Sequence, residues 1–237
     1  MSRIFYFTDV HGHELTFHVL DWCFRQDPNC TIIFGGDAID RGNCGYKIML
    51  SLLQMPNVIY LLGNHEDMFI KAAYDVAHDN FKSTAVQLHC YNGGLKTLED
   101  WCDEDCPMDV IERLQRLPLT YSYENIDFCH AGAKYIDFCQ KTAHPLLWDR
   151  DELISDWAQN RYCVHGHTPI CSHLGGRLTR PQLWLNKDKT GGRINMDGGT
   201  YNTNKIFVLD IETFMVYEFV STNKEPITEY SVLESQE

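Results

Sequence analysis

Three short apolar runs, each closed by a polar loop rich in Gly, Asp, Asn and His, limit what this chain can fold into. The runs cover residues 3–8, 31–35 and 58–62. They are dense in β-branched and aromatic residues and short enough for buried strands. The loops that follow read Asp9-Val10-His11-Gly12, Gly36-Asp37-Ala38-Ile39-Asp40-Arg41-Gly42 and Gly63-Asn64-His65-Glu66. Helical patterns come next, at about 14–25, 46–53 and 66–76. Strand, loop and helix repeating in this way is the βαβ signature of a partly parallel sheet. In such sheets ligand groups gather on loops at the carboxyl ends of the strands.

Beyond this repeat the pattern loosens. Residues 83–117 predict a helical insert, interrupted at Asn92-Gly93-Gly94 and near Pro107, that caps one side of a domain spanning 1–220. After Pro118, residues 119–124 and 126–130 predict a hairpin turning near Asn125. Further strands are expected at 162–165, 193–197, 205–210 and 215–220. The tail from 221 to 237 is polar and acidic and is expected to be mobile. The fold class is α/β (α+β).

Composition narrows the partners. The chain has 237 residues, within the reach of one domain. Its formal net charge of −13 argues against a broad basic surface for nucleic acid. It does not exclude an anionic substrate held in a local pocket. No apolar run has membrane-spanning length, and the first residues do not resemble a signal peptide, so the expected location is cytoplasmic. The 10 cysteines are then expected to be reduced thiols. A metal site at Cys102 and Cys106 is conceivable, but structural zinc needs four well-spaced ligands, and ordinary thiols are the favoured reading. The glycosylation pattern Asn29-Cys30-Thr31 is set aside for the same reason of compartment.

The loops carry the chemistry. Asp9 and His11 sit on alternate positions just beyond a strand, which suits two ligands on one ion. Asp37 ends the next strand, and a carboxylate can bridge two cations. Asn64 offers an amide oxygen that ligates without adding charge, while the adjacent His65 can stay off the metal. His130, in Cys129-His130-Ala131-Gly132, and His167, in Gly166-His167-Thr168-Pro169, follow later strands. Taken singly, each feature has an ordinary explanation: an Asp turn, a helix cap, a packed histidine. Taken together, carboxylate, amide and imidazole make a donor set suited to manganese, iron or zinc more than to magnesium. Two ions about 3.5–4 Å apart are the usual arrangement for phosphate-ester hydrolysis.

The ordered set Asp-x-His-Gly, Gly-Asp-x-x-Asp-Arg-Gly, Gly-Asn-His-Glu, then His and Gly-His, resembles the calcineurin-like metallophosphoesterases. Within them it is similar to the phosphoprotein phosphatase (PPP) family, and most to its small bacterial and phage serine/threonine phosphatases. Asn92-Gly93-Gly94, Trp148-Asp149-Arg150 and Gly166-His167-Thr168-Pro169 extend the likeness from about residue 4 to 210. The resemblance implies a central β-sandwich flanked by helices and two divalent metal ions, manganese foremost. It places Asp9, His11 and Asp37 on one ion, and Asp37, Asn64, His130 and His167 on the other. Arg41 and Arg150 would clamp phosphate, with Asn64 also facing substrate. His65, oriented by Asp40, would protonate the leaving alkoxide, and a water activated by both metals would attack phosphorus in line.

Two features depart from the family pattern. Thr8 stands where Gly usually precedes the first Asp, and the segment around Tyr201 offers no assigned counterpart to the eukaryotic active-site tyrosine. His13, His165 and His173 are expected to be neighbours only. The implied substrate is a phosphorylated protein or a small phosphate ester. The rivals are a dinucleoside polyphosphate hydrolase, a nucleotide or nucleic-acid-end phosphatase, and an inactive scaffold. Asp40 and Glu66 favour the protein phosphatase side over the first, and the complete ligand set opposes the last.

Overall fold

A computed structural model describes residues 2–150, 157–175 and 179–233, with the side chains of 173–175 excepted. Elements run β1 (Ile4–Phe7), α1 (Leu15–Gln26), β2 (Thr31–Phe34), α2 (Gly45–Gln54), β3 (Val58–Tyr60) and α3 (Asn64–Ala77). Then come α4 (Thr84–Tyr91), α5 (Leu95–Asp103), α6 (Met108–Gln115), β4 (Thr120–Tyr123), β5 (Ile126–Cys129), α7 (Tyr135–Gln140) and α8 (Ala143–Trp148). The chain closes with β6 (Tyr162–His165), β7 (Leu183–Leu185), β8 (Gly192–Asn195), α9 (Thr200–Thr203), β9 (Lys205–Asp210), β10 (Met215–Val220) and β11 (Thr228–Ser231).

Two sheets form. The first has the order β11-β10-β9-β1-β2-β3, the second β4-β5-β6-β8-β7. Each holds a parallel triplet, β1-β2-β3 in one and β5-β6-β8 in the other, with antiparallel strands at its flanks.

Alternation along the strands shows how the layers stack. Ile4 and Tyr6 of β1, Ile33 of β2 and Leu209 of β9 pack with Ile126 and Phe128 of β5, Val164 of β6 and Ile194 of β8. These residues are the core between the sheets. The alternate residues Phe5, Phe7, Ile32, Phe34 and Val208 face helices α1 to α6 instead. Because both faces are covered, every residue of β1 is buried, which accounts for its unbroken Ile-Phe-Tyr-Phe run. Behind the second sheet, Cys129 and Cys163 pack with Leu146 of α8 and with Trp157. The sandwich flanked by helices is as the sequence predicts.

Two expectations need correction. Part of the tail is not loose: Thr228–Ser231 pairs antiparallel with β10 as the edge of the first sheet, Glu218 opposite Thr228. Buried Glu218 accepts a hydrogen bond there from the Thr228 hydroxyl, 3.0 Å. Residues 234–237 lie outside the described residues. In the second sheet the three-residue edge strand β7, absent from the sequence reading, pairs with β8.

Candidate metal centre

Both parallel triplets end on the same spot. Asp9 and His11 follow β1, Asp37 follows β2 and Asn64 and His65 follow β3. From the second sheet, His130 follows β5 and His167 follows β6. All seven are buried. The loops that carry them are sharply turned, and Asp9, His11, Asp37, Asp40, Arg41 and His167 all have positive φ, between 43° and 70°. A non-glycine residue there costs roughly 1–3 kcal/mol, and such residues cluster where the surrounding structure holds them for function. Here the loops hold one another. Asp9 N–H donates to the carbonyl of Gly36, His11 N–H to that of Asp37 and Gly42 N–H to that of His11, at 3.0–3.1 Å.

Glu66 locks the second and third loops together. Its carboxylate accepts from the backbone N–H groups of Asp37 and Ala38 (2.8 Å each) and Gly63 (3.1 Å), and from the Tyr60 hydroxyl (2.8 Å). Its place in the first turn of α3 follows from the sequence. Its grip on the neighbouring loop does not, because the partners are 28 and 29 residues away.

Three of the imidazoles share one orientation, and His167 is turned the other way. His11 Nδ1 lies 3.1 Å from the Ile39 carbonyl, His65 Nδ1 2.7 Å from Asp40 Oδ2, and His130 Nδ1 2.9 Å from the Gly35 carbonyl. These acceptors suit a proton on Nδ1 and turn Nε2 inward, an arrangement open to a metal-ligating histidine. Around the Asp37 carboxylate, His130 Nε2 stands at 3.5 Å, His11 Nε2 at 3.7 Å and His65 Nε2 at 3.9 Å. Asn64 Oδ1 lies 2.9 Å from His130 Nε2 and 3.0 Å from His167 Nδ1.

Two groups, His11–Asp37–His65 and Asp37–His130–His167, each bring three ligand atoms close enough to hold an ion. Asp37 belongs to both. His65 falls within reach of the first group, although the sequence reading kept it off the metal.

Electrostatics fit a cation. Burial raises Asp9 to about 6; the His130 charge opposes this and that of Asp37 adds to it. Burial holds His11 neutral, helped by His65 and Arg41, and lowers His167 to about 2. His130 is raised: burial opposes its charge, but Asp37 and Asp9 outweigh burial. Inward ring nitrogens, an amide oxygen and crowded carboxylates on one spot are what divalent ions would satisfy. The residues present therefore fit the metals the sequence implies.

The two arginines differ. The guanidinium of Arg41 reaches into the centre, with Nη1 3.0 Å from His11 Nε2 and Nη2 3.1 Å from His65 Nε2. Arg150 stays at the rim, its Nη1 3.3 Å from both the His167 carbonyl and the Thr168 hydroxyl. Tyr201, 53% exposed, stands beside Arg41, lining a cleft of about 490 Å³ with Glu14 and Asn43. On its other side it shares an opening with Tyr91 and Asn92.

Thr8 has a use. Its hydroxyl donates to Asp9 Oδ2 at 2.6 Å. The room comes from Gly166, where a Cβ would lie 2.6 Å from Thr8 Cγ2 and 2.0 Å from Asp9 Oδ2. Asp197, which the sequence reading left among strand residues, is a further member. It is buried beyond β8, and its pKa is pushed up, first by burial and then by the Asp9 charge. The available signal was an acid followed by Gly198-Gly199 at a strand end.

His13 precedes α1, its Nδ1 accepting from Leu15 N–H, and His165 is buried in β6. The side chain of His173 lies outside the described residues. Cys102 and Cys106 join no metal-binding group among the described residues.

The sequence model of the calcineurin-like phosphoesterase family matches residues 2–199. A curated relative, serine/threonine-protein phosphatase 7 of Arabidopsis thaliana, is 37% identical over 81 residues. That stretch is 31% of this chain and 19% of the relative, so the match spans about a fifth of the relative's length. A solved structure provisionally assigned as a diadenosine tetraphosphatase superimposes with a TM-score of 0.61 at 14% identity, covering 92% of this chain and 93% of the other. A cold-active protein-tyrosine phosphatase of a Shewanella species gives 0.54 at 12% identity, over 98% and 80%. At these identities the two structures speak for the fold alone.

Proposed function

This chain belongs to the calcineurin-like phosphoesterase family, and from that premise we propose that it is a dinuclear-metal phosphatase of the PPP type, hydrolysing serine and threonine phosphate monoesters. The reading is carried by one observation: imidazole Nε2 atoms from both sheets face a single carboxylate, Asp37, within 3.5–3.9 Å. Asp9, His11 and Asp37 would hold one ion, and Asp37, Asn64, His130 and His167 the other. Manganese is the proposed metal, with iron or zinc also compatible with the donors. When bound, two such ions lower the pKa of water enough to supply a nucleophile at neutral pH and stabilise charge on the phosphoryl group.

The chain's own residues do the rest. Arg41, and Arg150 from the rim, grip phosphate oxygens through planar donor forks. Asn64 would meet the substrate as well as help hold a metal. Asp40 holds the His65 ring by Nδ1, so that Nε2 can give a proton to the leaving alkoxide. Burial lowers the pKa of His65, Asp37 opposes this and Arg41 adds to it. Asp40 in the second loop and the 81-residue likeness to a serine/threonine phosphatase support the protein-phosphatase reading over a dinucleoside polyphosphate hydrolase.

A substrate panel in manganese tests this. Phosphoserine, phosphothreonine and phosphotyrosine peptides are compared with diadenosine tetraphosphate and mononucleotides. Fastest turnover of phosphoserine or phosphothreonine peptide is expected. Preference for the dinucleotide would overturn the substrate assignment, and full activity after exhaustive chelation would overturn the metal centre.

A further inference from the structure

The helical segment that includes α4 and α5 lies outside the sandwich, yet it closes on Asp40, the carboxylate that holds the His65 ring by Nδ1. Thr97, in the first turn of α5, donates its hydroxyl to Asp40 Oδ1 at 2.7 Å, and accepts from Asp40 N–H at 3.2 Å. His89, in the last turn of α4, places Nδ1 3.4 Å from Asp40 Oδ2, the oxygen that His65 Nδ1 meets at 2.7 Å. Asp40 and His89 are fully buried, Thr97 nearly so.

Room for the His89 ring is made on both sides. Phe69 of α3 packs against one side, ring centroids 5.6 Å apart. Gly94 lies against the ring, where a Cβ would stand 2.2 Å from Nε2. The same turn reaches the next residue along: the Gly93 carbonyl accepts from Arg41 N–H at 3.0 Å. Asp40 and Arg41, both in strained left-handed conformations, are thus held by residues 89–97 and not by their own loop alone.

We propose that His89 and Thr97 are positioning residues for the Asp40–His65 pair, so that the segment carrying α4 and α5 sets the orientation of the proton donor. The inference rests on His65 acting as general acid. A buried carboxylate can rotate about its last torsion. Thr97 stops this by bonding Oδ1 and the backbone of the same residue, which leaves Oδ2 aimed at His65. His89 presents a neutral ring at that oxygen, since burial lowers its pKa against the pull of Asp40. Its 3.4 Å contact is electrostatic and not a hydrogen bond, and it brings no second positive charge beside His65. Neither residue touches substrate; packing alone would require only their volume.

The test compares Thr97→Val, which is close in shape, and His89→Phe, which keeps an aromatic ring, with Thr97→Ser, which restores the hydroxyl. Two readouts are taken. The first is the downfield imidazole N–H proton of His65 in NMR spectra, assigned by its loss in Asp40→Asn. The second is kcat for a phosphoserine peptide against p-nitrophenyl phosphate in manganese, with metal content measured. In Thr97→Val and His89→Phe the proton should move upfield or broaden. Peptide kcat should fall about tenfold relative to the aryl ester, a fraction of the ~10²–10⁴ that general acid catalysis supplies. KM and metal content should hold, and Thr97→Ser should restore both readouts.

An unmoved proton in both variants, or equal loss on both substrates, overturns the proposal. If the wild-type protein hydrolyses neither ester, the reading of the site as a phosphatase fails, and the proton signal alone decides the positioning role. Should His89→Phe not fold, Thr97→Val with its serine rescue carries the test.

Discussion

The two sheets build opposite walls of one site by different means. In the first, three parallel strands with short loops deliver Asp9, His11, Asp37, Asn64 and His65 within 57 residues of chain. These loops interlock through backbone bonds and through Glu66. In the second, β5, β6 and β8 deliver His130, His167 and Asp197 singly, separated by long connections. The first wall supplies most of the negative charge, and the second supplies His130 and His167. The contrast shows that a site can be half written in compact motifs and half in isolated residues, because a strand end needs only one side chain to contribute once the sheet has placed it.

The comparison breaks hardest at Asp37, where the walls meet. Asp37→Asn should lose both metals by elemental analysis and reduce turnover well beyond the about 10–100-fold typical of outer partners. Retention of two metal equivalents would mean that Asp37 is not shared. The next contrast sets wall against wall. His65→Asn should keep both metals and lower phosphoserine-peptide turnover by about 10²–10⁴-fold, with a far smaller effect on p-nitrophenyl phosphate, whose leaving group needs no proton. His167→Asn should instead lose metal and harm both esters alike. Because His65 Nε2 lies only 3.9 Å from Asp37, loss of metal in His65→Asn would make it a ligand and end its role as acid.

A smaller effect is expected at Asp197. Asp197→Asn removes a buried acid beside Asp9 without removing any proposed ligand, and should weaken metal affinity by about 10–100-fold. No change in affinity would make Asp197 purely structural.

The mildest prediction concerns pH. Asp9 is raised from 3.8 to about 6, chiefly by burial. A proton on Asp9 must leave before it can hold a metal, so manganese affinity should rise with pH through about 6 and then level off. Calorimetric titration across about pH 5–7 checks this. An affinity already level at the low end would place Asp9 in the ordinary carboxylate range.

The legible part of the fold follows one rule. Strands β1, β2, β6, β9 and β10 and helices α1 to α3 announce themselves by apolar runs or stripes, because each buries a face. The strands β7 and β11 have three and four residues and lie at sheet edges. Their pairing partners define them, and that information is not local. The same holds for the tail, whose polar composition gives no sign that Glu218 meets Thr228 across the ladder.

By itself the sequence determined the donor types and the loops that carry them: the carboxylates, amide and imidazoles at strand ends, and the α/β alternation that places strand ends together. Tertiary structure alone decided which nitrogen of His11, His65 and His130 faces inward, since that is set by carbonyls of Ile39 and Gly35 and by Asp40, brought near from other loops. It alone decided that Arg41 enters the centre while Arg150 rests on the His167 carbonyl. It also joined Asp197, His89 and Thr97 to the site. A side chain's chemistry is set by its identity, but its protonation, reach and partners depend on groups far away in sequence, and those distances exist only once the chain has folded.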